Sequence, residues 1–185
     1  MTVDQSLEQI LKNTFTKGDT YKRIVLLRDF LEHLDQGFGT QGYDWAGSLL
    51  AKYKDTPDAD TAVSVAAWGN DVISLYTADS ASQNVSDLRV RMMKLPELII
   101  YAPVIPSAND IIALGTWCRA NVDPKVLLEL HVDSAAVGGC FFVWKDLYYD
   151  FSLTHLLQER QKEISALIER YAAIPASARE VTPVH

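Results

Sequence analysis

The stretch Val132-Asp133-Ser134-Ala135-Ala136-Val137-Gly138-Gly139-Cys140-Phe141-Phe142-Val143-Trp144-Lys145-Asp146-Leu147-Tyr148-Tyr149-Asp150-Phe151-Ser152 decides how the rest of the chain is read. An apolar run follows a glycine pair, stops at Lys145-Asp146 and resumes as Leu147-Tyr148-Tyr149. Aromatic and β-branched residues on both sides of a two-residue polar break predict a β-hairpin. The favoured turn of that length carries Asn-Gly or Asp-Gly, so Lys145-Asp146 is imperfect turn chemistry. Gly138 and Gly139 supply φ freedom before the first strand, suited to a bulge or a sharp approach. Ser152 then opens an amphipathic helix as a good N-cap, with Asp150 close to the positive helix end.

Upstream of the hairpin the pattern changes twice. Leu98 to Val104 is strand-like, with Pro103 confining it to an edge or an end. Ser107-Ala108-Asn109-Asp110 is a helix start, followed by Ile111, Ile112, Leu114 and Trp117 before Asn121. From Lys125 to Val132 the residues alternate as in a half-buried strand. Before Pro96 the periodicity is helical throughout. Leu7 to Phe15 makes a first segment, and Gly18 breaks it, with Asp19 or Thr20 capping the next. That second segment runs from Tyr21 to about Asp35 and stops at Gly37-Phe38-Gly39. Trp45 to Tyr53, Asp60 to Tyr76 and Ser80 to Lys94 complete five helices with short connections, the pattern of a compact bundle.

The fold class expected is therefore α+β: an N-terminal helical bundle, then a small sheet in strand–helix–strand–strand order, then a long C-terminal helix. Residues 1–95 form the bundle, 96–174 the small α+β domain, and 175–185, with Pro175 and Pro183, a loose tail.

Composition narrows the function classes. The 185 residues are 48% hydrophobic and 22% charged, ordinary for a globular protein. A net charge of −7 argues against a nucleic-acid binder, which carries a basic face. No run of about 18 apolar residues is present to span a membrane. Asp4 and Glu8 interrupt any apolar segment near the start, so a secretory signal is not expected there; a mature chain whose targeting segment has been removed fits the same pattern. Two cysteines, Cys118 and Cys140, are too few for a disulfide scaffold and favour a reducing compartment.

The hairpin stretch resembles the C-terminal signature of the ATP synthase δ subunit family, called OSCP in mitochondria. That family has an Asp-Pro-Ser run to Gly-Gly, a strand, a Gly-Asp turn, a second strand, Asp-Gly-Ser/Thr and a helix. Asp133, Gly138, Gly139, Asp146, Asp150, Ser152 and Leu157 fall on matching positions without a gap. Ser134 stands for the family Pro, Lys145 for the turn Gly, Phe151 for the second Gly, and Thr154 and Leu156 for basic residues. The match covers roughly residues 98–160, and residues 1–95 lack the Tyr-Ala-x-Ala-Leu helix common near the family's N-terminus. The E subunit of V/A-type ATPase stalks has a related ending but begins with a very long charged helix, against which Gly18, Gly37, Gly39 and Pro57 argue.

The resemblance implies a non-catalytic peripheral-stalk (stator) subunit of an F-type ATP synthase. Its bundle would hold the N-terminal segments of the α subunits, and its C-terminal domain the b-type stalk. No cofactor, metal or nucleic acid is implied, and the membrane is met only through the complex. The implied place is peripheral to an energy-transducing membrane, on the bacterial cytoplasmic face or on the matrix or stroma side of an organelle.

The last helix is the segment most open to a partner. Leu153, Leu156, Leu157, Ile164, Leu167, Ile168 and Tyr171 form one apolar stripe. Its first two turns are expected to pack on the sheet. A helix of about 20 residues is about 30 Å long, more than three short strands cover. Ile164, Leu167, Ile168 and Tyr171 are therefore the candidate partner interface, against a second chain or the bundle.

Two other readings come from the residues alone. Cys140 with His131 would make a cysteine-dependent enzyme or ligand site if their strands paired, although a Cys inside Gly-Cys-Phe-Phe-Val is ordinarily a small buried hydrophobe. An unrelated helical interaction module would also fit residues 1–95. His33, His131, His155 and His185 are too scattered for metal-ligand spacing, and the pairs Asp58/Asp60 and Asp146/Asp150 are ordinary surface carboxylates.

Overall fold

The computed structural model describes residues 3–32, 43–76, 81–136 and 138–173. The expected second-helix end at Asp35 with Gly37-Phe38-Gly39, the helix start at Ser80 and the tail from 174 lie outside the described residues.

Six helices precede the sheet: α1 (Val3–Leu11), α2 (Lys17–Glu32), α3 (Trp45–Tyr53), α4 (Ala59–Ala66), α5 (Asn70–Ser74) and α6 (Ala81–Met93). The expected single helix from Asp60 to Tyr76 is two, because Gly69 sits at φ 88° between α4 and α5. A right-handed helix cannot pass through that conformation, and glycine adopts it at little steric expense. The bend lets α5 bury Val72 and Ile73 completely. Gly18 is not a break; it lies in the first turn of α2, where Thr16 accepts the Asp19 N–H at 3.0 Å and serves as the cap expected of Asp19 or Thr20. Asp44 caps α3 by accepting from the Gly47 N–H at 3.0 Å.

The core of this region is apolar and closed. Leu27, Leu49, Val65, Val72, Ile73 and Leu88 are fully buried. Its few polar side chains are paired: the Ser6 and Tyr76 hydroxyls lie 3.1 Å apart, and Trp68 donates its indole N–H to Asn13 at 3.1 Å. Among the described residues no buried side-chain polar atom lacks a partner, as close packing requires.

After α6 come β1 (Glu97–Ala102), α7 (Ala108–Asn121), β2 (Leu127–Val132), β3 (Phe141–Trp144), β4 (Leu147–Asp150), α8 (Leu153–Glu159) and α9 (Gln161–Ala172). The class is α+β, with a four-stranded mixed sheet in the order β2-β1-β3-β4, one strand more than the strand–helix–strand–strand order expected, because the hairpin adds two strands to β1 and β2. The Leu127 N–H donates to Pro96 and the Asp133 N–H to Ala102, the same offset at both ends of the pair, so β2 runs parallel to β1. Ser107 and Asp110 form the expected start of α7 as a reciprocal capping box. Buried positions in β2 do not alternate, because Leu127 and Leu128 are both inside.

The chain divides into two compact units, and the division runs through β1 and β2. One unit is Met1–Ile99 with Pro106–Leu130; the other is Ile100–Ile105 with His131–His185. Helix α7 therefore stands with the six helices rather than beyond a boundary at residue 95. The reason is chemical. Arg119 donates to the carbonyls of Leu11 and Thr14 and to Val126 at 3.3 Å, and lies 4.6 Å from the Phe15 ring centroid. It thus occupies carbonyls at the end of α1 that have no partner within that helix. Phe15 covers Gly115 so closely that a Cβ there would lie 2.5 Å from the ring, and the Leu128 N–H donates to the Phe15 carbonyl at 2.9 Å.

The long C-terminal helix is the main correction. It is two helices, broken at Arg160 (φ −100°, ψ 13°), so one straight 30 Å rod does not exist. Its first two turns are not sheet packing either: Leu153, Leu156 and Leu157 are 44–48% exposed. The two hairpin strands have four residues each, too small a face to cover a helix.

Candidate docking site

The hairpin forms about the expected two-residue break. Phe141 pairs with Asp150, Phe142 with Tyr149, Val143 with Tyr148 and Trp144 with Leu147. Lys145 and Asp146 take φ values of 50° and 64°, the left-handed pair that a two-residue turn between twisted strands requires. Neither is glycine, so this turn carries strain that an Asn-Gly turn would not. Ring stacking across the strands offsets it: Phe142 lies 4.9 Å from Tyr149 and 5.6 Å from Phe151.

Most of the residues that carry the resemblance have an identifiable local task. Asp133 accepts the Ala135 N–H at 2.8 Å and shapes the turn that leaves β2. Gly138 sits at φ 68°, where a Cβ would press on Leu153 at 2.9 Å. Gly139 is held by a different constraint: a Cβ there would stand 2.2 Å from the carbonyl oxygen of Phe151. The pair lets the backbone before β3 approach the backbone after β4, and the Phe151 N–H closes that approach on the Cys140 carbonyl at 2.9 Å. Asp150 accepts the Ser152 N–H at 2.8 Å, and Ser152 accepts the His155 N–H at 3.2 Å, capping α8. The bonds from Ser152 hold the Asp150 carboxyl below its ordinary range. Asp146 serves the turn, and Leu157 is exposed on α8.

The candidate interface residues are presented, not packed. On α9, Leu167, Ile168 and Tyr171 are 59–63% exposed and with Ala172 line an open, shallow depression; Ile164 is half-buried. No residue of α8 or α9 is buried. The apolar stripe is thus open over both helices.

The cysteine option loses its premise. It required the strand of His131 beside that of Cys140, but β1 lies between β2 and β3. Tyr101 fills the gap, stacked 5.1 Å from His131 and 5.0 Å from Phe141. The other thiol, Cys118, is buried on α7, and burial pushes its pKa up, the reverse of what a nucleophile needs. Among the described residues no group of three or more His, Cys, Asp or Glu side chains is gathered as metal ligands.

Two clusters have no local sequence signal. Lys17 meets Glu97 at 2.8 Å and Glu129 at 3.0 Å, joining the start of α2 to β1 and β2. Both hydrogen bonds raise the Lys17 pKa, while burial, with Glu129 adding to it, raises that of Glu97. The second is the Arg119 clamp. Both join residues about a hundred positions apart, which spacing rules do not reach.

No protein-family model matches this chain, and no curated protein matches it.

Proposed function

We propose that this chain is a non-catalytic stator subunit of the δ/OSCP kind, linking the catalytic head of an F-type ATP synthase to its b-type stalk. The observation that carries the reading is the unburied apolar face of α8 and α9, mounted directly behind the Gly138-Gly139 hairpin. Helix-in-groove docking uses such anchors at i, i+3, i+4 and i+7, as Ile164, Leu167, Ile168 and Tyr171 are spaced. The helical unit, with its closed core, is the face offered to the α-subunit N-terminal segments. The task is mechanical: two docking faces on one chain hold the head against rotor torque, and no active site is needed. Among the described residues no helix is long and apolar enough to cross a membrane, in keeping with attachment through partners.

The test is capture from native membranes with tagged chain, read by mass spectrometry. Recovery of α, β and b-type subunits is the expected result. The double substitution Leu167→Ser/Ile168→Ser should lose the b-type subunit and keep α. A preparation that carries no ATPase subunit at all would end the proposal.

A further inference from the structure

The helical unit carries a second open surface of different character. On α6 the buried side is Val85, Leu88 and Met92; on its flank Arg89 and Met93 lie one turn apart, and further round come Val90 and, just past the helix end, Lys94. Met93 is 69% exposed and Val90 47%. Helix α2 adds Tyr21, 61% exposed, whose ring lies 5.9 Å from the Arg89 guanidinium. The result is an apolar strip rimmed by two cations. Neither Arg89 nor Lys94 has an ion-pair partner among the described residues. The nearest carboxylates in sequence are engaged elsewhere: Asp87 accepts from Gln83 at 2.9 Å, and Glu97 pairs with Lys17 at 2.8 Å.

Arg89 and Lys94 give the flanks of this strip a charge opposite in sign to the chain's net −7. We propose that the α2–α6 surface centred on Tyr21, Val90 and Met93 docks one acidic amphipathic helix of a partner protein. Apolar residues of that helix cover Met93, Val90 and Tyr21, and its flanking carboxylates meet Arg89 and Lys94. Arg89 suits this position because its fork donates to both oxygens of a carboxylate while stacking on an aromatic ring. Charge and range decide between a helix and the other surface that combines anionic and apolar character, a lipid bilayer. The Debye length is about 8 Å at physiological salt, so a narrow helix senses the charges beside the strip, Arg89 and Lys94 together with Asp87, and little of the more distant carboxylates. A bilayer spans the whole protein and meets its net negative charge. The proposal does not rest on the stator reading, since it uses other elements and would stand for a chain that bound no ATPase subunit.

The experiment uses the full chain and a fluorescein-labelled 18-residue helix with Leu along one face and Glu along the other. Its twin carries Lys for Glu, and vesicles of phosphatidylcholine with phosphatidylserine form the third probe. Fluorescence anisotropy should show saturable binding of the acidic helix, weaker in added salt, and none of the twin. The variant Arg89→Glu/Lys94→Glu should weaken it about tenfold or more, and Met93→Ser should weaken it at unchanged charge. Both substitute exposed side chains, so an unchanged melting transition separates lost docking from lost fold. Equal binding of the two helices, binding indifferent to the double reversal, no binding of the acidic helix, or attachment to vesicles alone would each overturn the proposal. The Leu167→Ser/Ile168→Ser variant should bind the acidic helix normally, which keeps this test apart from that of the stalk.

Discussion

Two amphipathic regions of one chain are put to opposite uses. In the six N-terminal helices nearly every apolar stripe is turned inward, and Leu27, Leu49, Val65 and Ile73 have no exposed surface. In α8 and α9, stripes of the same helical spacing are left open, with Leu157 at 48% and Ile168 at 63% exposure. Periodicity reports that a helix has an apolar side. It is silent on what lies against that side. The helical unit has enough neighbouring helices to answer from within, whereas the short hairpin strands do not cover α8.

That contrast can be broken by substitution. Leu27→Ala or Ile73→Ala should lower stability by about 2–5 kcal/mol, read by urea unfolding. Leu167→Ala and Ile168→Ala should stay within about 0.5 kcal/mol of the parent. Comparable losses at the two places would mean that α9 is part of the core after all. Next in size is the Arg119 clamp. Arg119→Met keeps much of the side-chain volume but removes the donors to Leu11, Thr14 and Val126, and should cost about 2–3 kcal/mol. Amide exchange should then quicken at the end of α1 while leaving α9 unchanged.

Gly139→Ala tests the second region. The added methyl must displace the Phe151 carbonyl, an overpacking loss of about 1–3 kcal/mol. NMR should show the β3–β4 pairing disturbed, with the signals of buried α3 and α4 residues in place. An undisturbed hairpin would refute the close-approach account of the glycine pair. The smallest effect is electrostatic and has a defined sign. The folded Asp150 carboxyl titrates below its unfolded value. Its stabilisation is therefore fully present above roughly pH 4 and is lost as pH falls through the lower folded value. Asp150→Asn should flatten that part of the acid-unfolding profile; an unaltered profile would remove Asp150 from the capping of α8.

Much of the hairpin was legible because its signals are local. The turn at Lys145-Asp146, the glycine pair, the Asp150–Ser152 cap and the Ser107–Asp110 box each lie within a few residues, where backbone geometry is set by neighbouring side chains. The two broken helices were harder to read. Gly69 follows an otherwise continuous periodic run, and a glycine is tolerated inside a helix as readily as it ends one. Arg160 is a good helix former and gives no warning of a break.

By itself the sequence determined the class, the helices-then-sheet arrangement and the two-residue turn of the hairpin, since these follow from residue type and period along the chain. It also determined which faces are apolar. Tertiary structure alone decided that β1 stands between His131 and Cys140, that α7 joins the helices through Arg119, and that α8 and α9 remain uncovered. Each of those outcomes depends on which distant segments meet, and that is settled by packing and by the pairing of backbone carbonyls, not by local spacing.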